Sequence, residues 1–561
     1  MHTGVLKMLA LKDIGNYEDA LRYADDVIEG FTKLQEQTLF VSVEKGALKT
    51  GERYERIFSL IPWLYMQTRE KEKAYSIFEE GKMRVFEAMM KRNQLVLKDM
   101  ENKDLWDKRV MILTRLSNLR NNIYKMRAER KDKVADNLEV ETKRFEDELL
   151  SVERELLNKS RLYGEILSKE MVKVEEIQKR LSPDTVFIEY AFLEDELYAF
   201  VITNDSFSVS PLITGDKEMN LFKVKFGKNK DAYDFSDVKE LKDLYEKEKK
   251  SETKYLYSIL IGRVEKLFEG KKRLVIIPDK ELHLLPFEML IDKEGKFLIE
   301  SYEISYLNSA KEGLRTIVKR GEDYLGYGGI KYEKMGKEQK NAIINKIIAE
   351  KSSEIVMKAG KGRCIPENLP FLKGSKEEID VVHSIIGSGV VRYGYDASES
   401  TFKHDVKGKR YVHLSTHGYY YECGDALINS GVAFSGALGG GDGIDDGLLS
   451  ALEVMGLDLE GAELTVLSAC ETGLGKIGGE GVYGLKRAFM IAGTKEIVIS
   501  LWKISDKETK ELMEFFFRDI KMGRSTTQAI RNAKLKMIKK INQRYGKPYP
   551  FFWAAFVLVG G

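Results

Sequence analysis

A change of hydrophobic period at Ser182-Pro183-Asp184 limits what this chain can fold into more than any other feature. Before it, apolar residues recur three and four apart and proline is almost absent, the pattern of helices that each bury one face. After it come short, mainly apolar runs separated by amphipathic stretches: Leu274 to Pro278, Tyr411 to Ser415, Leu464 to Ala469 and Ile497 to Leu501. Strands apolar on both sides need cover on both faces, so these runs predict a mostly parallel sheet flanked by helices. Thr185 to Tyr190 and Leu197 to Thr203 read as a strand pair around an acidic turn, and a lysine-rich helical stretch follows to about Gly270. The expected fold is an all-α front, residues 1–181, joined to an α/β body.

Within the front, Gly15-Asn16-Tyr17-Glu18-Asp19-Ala20-Leu21 resembles the turn and second-helix start of a tetratricopeptide repeat, and a second such unit lies around Lys71 to Tyr75. The chain opens inside what reads as a repeat pair, as a segment cut from a longer helical array, or a short member of one, would. Leu113, Leu116, Leu119, Ile123 and Met126, then Phe145, Leu149, Val152 and Leu156, are spaced like the inner seam of a long antiparallel hairpin, with Arg127 to Asp136 as its solvated turn. This half reads as a scaffold, or as an array that docks a ligand.

Lysine plus arginine (91) nearly cancels aspartate plus glutamate (89), so no global field recruits nucleic acid or anionic lipid. Three cysteines, Cys364, Cys423 and Cys470, are too few for a disulfide framework and point to a reducing compartment. Met1 to Leu11 lacks the apolar core of a signal peptide, and the richest apolar run, Phe551 to Val559, is far short of the ~20 residues of a membrane span and reads as a closing core strand. A cytoplasmic protein with no membrane partner and no direct nucleic-acid binding is expected.

In sheets of this kind ligands bind beyond the carboxyl ends of the strands. His417 follows the strand Tyr411 to Ser415, and Cys470 follows Leu464 to Ala469, 53 positions later (417 to 470). That order and separation match the caspase pattern. A free thiol titrates near ~8.5, so Cys470 needs a base or a positive helix end to become a good nucleophile. Gly473 to Gly484 leads into a helix striped by Leu485, Ala488, Phe489 and Ala492 and stopped by Gly493, leaving amides for a developing oxyanion; Gly418 offers another. Ser375-x-x-Glu378 and Ser505-x-x-Glu508 each fit a capping box.

Other chemistries fit poorly. His413 and His417 lie four apart on a strand, without the glutamate of a metalloprotease helix, and His413 reads as a packed core histidine. Cys423 with His417 and Cys470 lacks paired zinc spacing. Gly475-Lys476 lacks the first glycine and the hydroxyl of a phosphate loop, and Gly440 to Asp445 is a single calcium nonapeptide unit where stacked repeats are needed. His283, His383, His404 and Cys364 have no partner pattern. No metal and no cofactor is expected.

Val412-His413-Leu414-Ser415-Thr416-His417-Gly418, Leu467-Ser468-Ala469-Cys470-Glu471-Thr472-Gly473, Ser500-Leu501-Trp502-Lys503-Ile504-Ser505-Asp506 and the terminal Pro550 to Phe556 together resemble the CHAT family of caspase-like peptidases, related by fold to caspases, separases and gingipains. Leu284 to Leu290 is similar to the family's first subdomain, a caspase-like half without a dyad. The resemblance covers roughly Thr185 to Gly561, and members often carry tetratricopeptide repeats in front. It implies a degenerate pseudo-caspase subdomain over residues 182–320 and an active caspase-like subdomain over 321–561. It further implies Cys470 as nucleophile, His417 as proton-transfer partner, and the Gly418 and Cys470 amides as oxyanion hole.

Ser468-Ala469-Cys470-Glu471 departs from the caspase cysteine signature, so aspartate specificity does not carry over. As in separases and gingipains, an acidic pocket would favour a basic residue before the cut; Asp446, Glu480 and Asp506 are the candidates. The glycine-rich segment Gly436 to Gly447 reads as a mobile loop near the cleft. The family context implies a bacterial enzyme of signalling or antiphage defence. Its partners would be a protein substrate and an activating protein or RNA-guided complex docked on the helices. The competing reading is a catalytically silent interaction module.

Overall fold

The computed structural model describes residues 2–29, 45–82, 132–159, 172–230, 250–310, 312–314, 320–349, 368–420, 429–468, 476–478, 481–502 and 504–561, with helical positions between 105 and 127. At the front, His2–Asp13 and Tyr17–Leu21 form the expected helix–turn–helix. Gly15 turns the chain at a φ of +75°, and the Asn16 side chain caps the second helix by accepting the Asp19 N–H. Helices Lys45–Gln67 and 71–82 follow, and Met8, Ala20, Ala24, Ile61, Leu64 and Ala74 share one apolar core. The hairpin is also present: Lys108 pairs with Glu148 at 3.2 Å and Arg115 with Glu141 at 3.0 Å, which sets positions 105–127 antiparallel to Asp132–Lys159. These exposed pairs are worth little (~0–1 kcal/mol each), so buried Leu116, Leu119, Leu149 and Val152 hold the seam. Leu113 lies outside the described residues, and Leu156 falls within the Asp132–Lys159 helix.

Among the described residues the body has sixteen strands. The first five are β1 (Thr185–Leu193), β2 (Glu196–Thr203), β3 (Phe207–Ile213), β4 (Arg273–Ile277) and β5 (Glu303–Tyr306). Then come β6 (Glu322–Ile330), β7 (Val390–Gly394), β8 (Lys409–Leu414), β9 (Gly418–Tyr420), β10 (Ser430–Ala433), β11 (Leu448–Ser450) and β12 (Leu464–Leu467). The last are the hairpin β13 (Lys476–Gly478) and β14 (Gly481–Tyr483), β15 (Glu496–Ser500) and β16 (Phe556–Val559). Eleven of them form one sheet in the order β3-β2-β1-β4-β5-β16-β15-β12-β8-β6-β7. β1, β4, β5 and β16 are parallel to one another, as are β15, β12, β8, β6 and β7. The two blocks run in opposite directions and meet at the antiparallel pair β15/β16. The predicted mostly parallel, helix-flanked sheet is therefore what forms.

Two local expectations change, and one of the two caps holds. Pro550–Phe552 is a 3-10 turn, so the closing strand is only Phe556–Val559; Trp553 between them is buried edge-on against Phe297 at 4.9 Å. Ser505 does cap the helix Asp506–Lys521, accepting the Glu508 N–H. Ser375 does not cap the helix Ser375–Ile386: Gly374 is the cap residue, and the Ser375 hydroxyl donates to Leu372 O at 2.8 Å and accepts from Gly329 N at 2.8 Å. This helix is pressed so tightly onto β6 that a Cβ on Gly328 would lie 2.6 Å from the Ser375 carbonyl oxygen. Glu378 is consequently turned inward rather than back over the cap.

The front is fixed to the body by the 71–82 helix. Tyr75 packs edge-on against Phe200 at 5.1 Å, and Phe78 packs beside them. Buried Lys82 reaches Glu189 of β1 at 2.9 Å and the Pro278 carbonyl, one residue past β4, at 3.2 Å. Glu79 accepts the Ala310 N–H at 3.1 Å; burial first, and then the adjoining Glu189 carboxylate, push it well above the usual carboxylate range.

Candidate functional site

β8 lies between β6 and β12, and its parallel register with β12 runs from Tyr411↔Leu464 to Leu414↔Leu467. The pairing continues past the strand ends, with Ser468 N donating to Leu414 O at 2.9 Å and Ser415 N to Tyr327 O at 2.8 Å. His417 and Cys470 each stand three positions beyond the Leu414/Leu467 pair in their own strands (414 to 417, 467 to 470). Cys470 itself lies outside the described residues, as do Glu480, Cys364 and Cys423.

His417 is half-buried, and its ring is held on several sides. Nε2 lies 2.7 Å from the Pro370 carbonyl oxygen. A carbonyl can only accept, so Nε2 carries a proton, and in the neutral form of the ring Nδ1 is then the acceptor nitrogen. Tyr332 packs edge-on against the imidazole at 5.1 Å, and its hydroxyl shares a hydrogen bond with Thr416 Oγ1 at 2.9 Å. The His417 carbonyl accepts from Ala433 N at 2.9 Å, which ties the residue to β10. Gly418 follows directly as the first residue of β9, opposite Val432. Chemically this is a histidine with Nε2 anchored, so that Nδ1 is the nitrogen through which it would take up or return a proton.

A model of the CHAT domain family matches residues 250–561, more than half of the chain. The chain belongs to the CHAT family. Tetratricopeptide repeat protein 28 of Homo sapiens is 29% identical over 113 residues, 20% of this chain, and its Mus musculus counterpart 26% over 113 residues. Those matches span only 4% of the curated relatives' own length. Among solved structures, the Saccharomyces cerevisiae separase–securin complex aligns over 97% of this chain and 40% of that one, with 9% identity and a TM-score of 0.45. The Porphyromonas gingivalis RgpB pro- and mature-domain complex aligns over 62% and 77%, with 9% identity and a TM-score of 0.33.

Two of the acidic pocket candidates of the CHAT domain have described positions, and they differ. Asp506, exposed at the start of the 506–521 helix, accepts the Gly374 N–H at 2.8 Å. A Cβ on Gly374 would sit 2.4 Å from Asp506 Cβ, so glycine is what permits this approach. The same loop, 369–374, carries the Pro370 carbonyl that anchors His417. Asp446 instead closes the glycine-rich turn, accepting Leu448 N at 2.9 Å.

The glycine-rich segment, expected as a mobile loop, is tied down from several sides. Gly436 N donates to Lys331 O at 3.1 Å and Leu438 N to Tyr332 O at 3.0 Å, which sets the segment beside the ring that flanks His417. Asp442 accepts from Ile444 N, Asp445 N and the Ser400 hydroxyl, and Glu399 accepts from Gly447 N at 2.8 Å. Lys403 lies among Glu399 (2.7 Å), Asp445 (3.1 Å) and Glu453 (3.4 Å); burial opposes its charge, but these carboxylates outweigh it and raise its pKa. Pairing with a buried lysine thus ties one end of a segment whose glycines would allow many conformations.

The Leu485–Ala492 helix keeps its predicted apolar stripe and its stop at Gly493, where φ is +119°, but it also buries Lys486 and Arg487 in its first turn. Burial pushes Lys486 down to about 8, opposed by Glu312 and assisted by Arg487. Among the described residues no group of three or more His, Cys, Asp or Glu could hold a metal ion, and no helix is long and apolar enough to cross a membrane. The anchoring carbonyl of Pro370 had no sequence signal, because any residue could supply it from 47 positions away.

Proposed function

We propose that this CHAT domain is a cysteine endopeptidase using His417 and Cys470 as a dyad. What supports the reading above all is the tautomer that Pro370 imposes on His417, at the end of a strand registered against the one that leads to Cys470. The Cys470 thiol transfers its proton to His417 Nδ1, and the thiolate attacks the scissile carbonyl. The Gly418 and Cys470 amides receive the oxyanion. Collapse of the tetrahedral adduct breaks the C–N bond, the imidazolium returns its proton to the leaving amine, and water, deprotonated by His417, hydrolyses the thioester. Asp506, joined to the loop that anchors His417, is the proposed carboxylate for a basic residue before the cut. The helical front docks the substrate protein or an activator, a protein or an RNA-guided complex, in a bacterial cytoplasmic setting of signalling or antiphage defence.

The test incubates the protein and Cys470→Ala with candidate substrate proteins and maps new termini by mass spectrometry. Cleavage by the parent alone, after lysine or arginine, is the expected result, with Asp506→Asn relaxing that preference. Cleavage by both would discard Cys470 as nucleophile. Cleavage by neither, with no labelling of Cys470 by an electrophilic peptide, would favour the silent interaction module.

A further inference from the structure

We propose that Glu378 and His413 are positioning residues for the dyad, tying together the two strand ends and the loop that anchors His417; this rests on the dyad reading above. Glu378 lies on the 375–386 helix and is 3% exposed, and His413, on β8, is fully buried. One Glu378 oxygen lies 2.7 Å from His413 Nε2, and the other accepts from the Ser415 hydroxyl at 2.9 Å. His413 Nε2 is also 3.4 Å from Ser468 Oγ, and its Nδ1 is 3.0 Å from the Tyr324 hydroxyl. Ser415 precedes His417 by two residues and Ser468 precedes Cys470 by two (415 to 417, 468 to 470), so one buried carboxylate and one imidazole span both strand ends.

Both ends of this arrangement lead to the site. The helix that carries Glu378 begins at the 369–374 loop, whose Pro370 carbonyl fixes the His417 tautomer. Glu378 therefore sets the helix, and with it the anchor, against the strand that carries the anchored ring. Stability alone is a weak account of such a pair. Replacing both partners of a buried hydrogen bond by apolar groups of the same shape can be nearly neutral, so a protein gains little by keeping such a pair merely as filler. What a satisfied buried network does supply is a fixed geometry. The groups facing the pair are Tyr324 from β6, Ser415 beyond β8, Ser468 beyond β12, and Phe517 of the 506–521 helix, stacked on His413 at 5.5 Å. Asp380 and Tyr393 act electrostatically on Tyr324, and His383 stacks on its ring at 6.2 Å.

The test needs no substrate. The rate of Cys470 alkylation by iodoacetamide is followed against pH by peptide mapping, in the parent, His417→Ala, Glu378→Ala, Glu378→Gln and Ser415→Ala, with melting temperatures alongside. Glu378→Ala is expected to move the profile most of the way to that of His417→Ala, by about one pH unit, or about tenfold in thiolate at a fixed lower pH. Glu378→Gln, whose amide can still bond both His413 and Ser415, keeps the parent profile. A purely structural role would lower the melting temperature and leave the folded protein's profile in place, which overturns the proposal. Equal shifts in Glu378→Ala and Glu378→Gln would overturn it too, since charge and not position would then be responsible. Should Glu378→Ala fail to fold, Ser415→Ala decides: a smaller shift in the same direction supports the proposal, and the parent profile rejects it. Identical profiles for the parent and His417→Ala would sink the dyad reading itself.

Discussion

His417→Ala is expected to lower kcat/KM for any substrate this protein cuts by roughly 10²–10⁴-fold, the range general acid–base catalysis contributes. The loss enters twice, because the same ring takes the thiol proton and returns it to the leaving amine. Stability should hardly change. The ring is half-buried, and the Pro370 carbonyl it leaves behind belongs to an exposed residue that water can reach. Calorimetry separates this from a folding defect: the variant should melt with the parent. Because the two groups act as a unit, His417→Ala with Cys470→Ala should be about as inactive as Cys470→Ala alone. A double variant much worse than that single would mean that His417 works apart from the thiol.

Lys82→Met is expected to be the most damaging substitution for the joint between front and body. It removes the cation from Glu189 while leaving that carboxylate fully buried, at a cost of about 3–5 kcal/mol. Urea unfolding would register the loss, and hydrogen exchange would locate it in the 71–82 helix. Combining Lys82→Met with Glu189→Leu should recover most of it, because the burial cost of both ions disappears together. The joint also depends on pH. The folded pKa of Glu79 is raised, so its contribution is complete below the ordinary value of 4.5 and is lost as pH rises through the higher folded value. Undocking of the 71–82 helix should therefore become easier toward alkaline pH, and Glu79→Gln should flatten that dependence.

Much of this was legible in the sequence because it is periodic or local. The change of period at Ser182 separated front from body, and the apolar runs marked β4, β8, β12 and β15. The Gly15 turn and the Gly493 stop needed only positive φ. Illegible features depend on groups far apart in the chain. Lys82 and Glu189 are 107 positions apart, and neither stands out among the chain's many charges until the fold buries both. Glu378 was misread for a physical reason: Ser375 and Glu378 have the spacing of a cap, but the close approach of the helix to β6 engages the serine with Leu372 and Gly329, and a buried histidine claims the acid. At Ser505 the serine half of the local signal is right, while Glu508 is engaged by Arg544 and the Ser505 hydroxyl. The ties of the glycine-rich turn were illegible likewise, since one of them comes from Lys403, about 40 positions upstream (403 to 445).

The junction between the two blocks of the sheet has a consequence for how the molecule is made. β16 sits in the middle of the sheet, yet it is the last of its strands in chain order. Synthesis proceeds from the N-terminus at about 5–20 residues per second, so the block with β8 and β12 emerges with no bridge to β5 until residue 559 has left the ribosome. A nascent or prematurely terminated chain would hold two half-sheets with open edges rather than a finished domain. The seam at the centre of this sheet is thus the last contact it can make, and its two halves wait for each other until translation has passed β16.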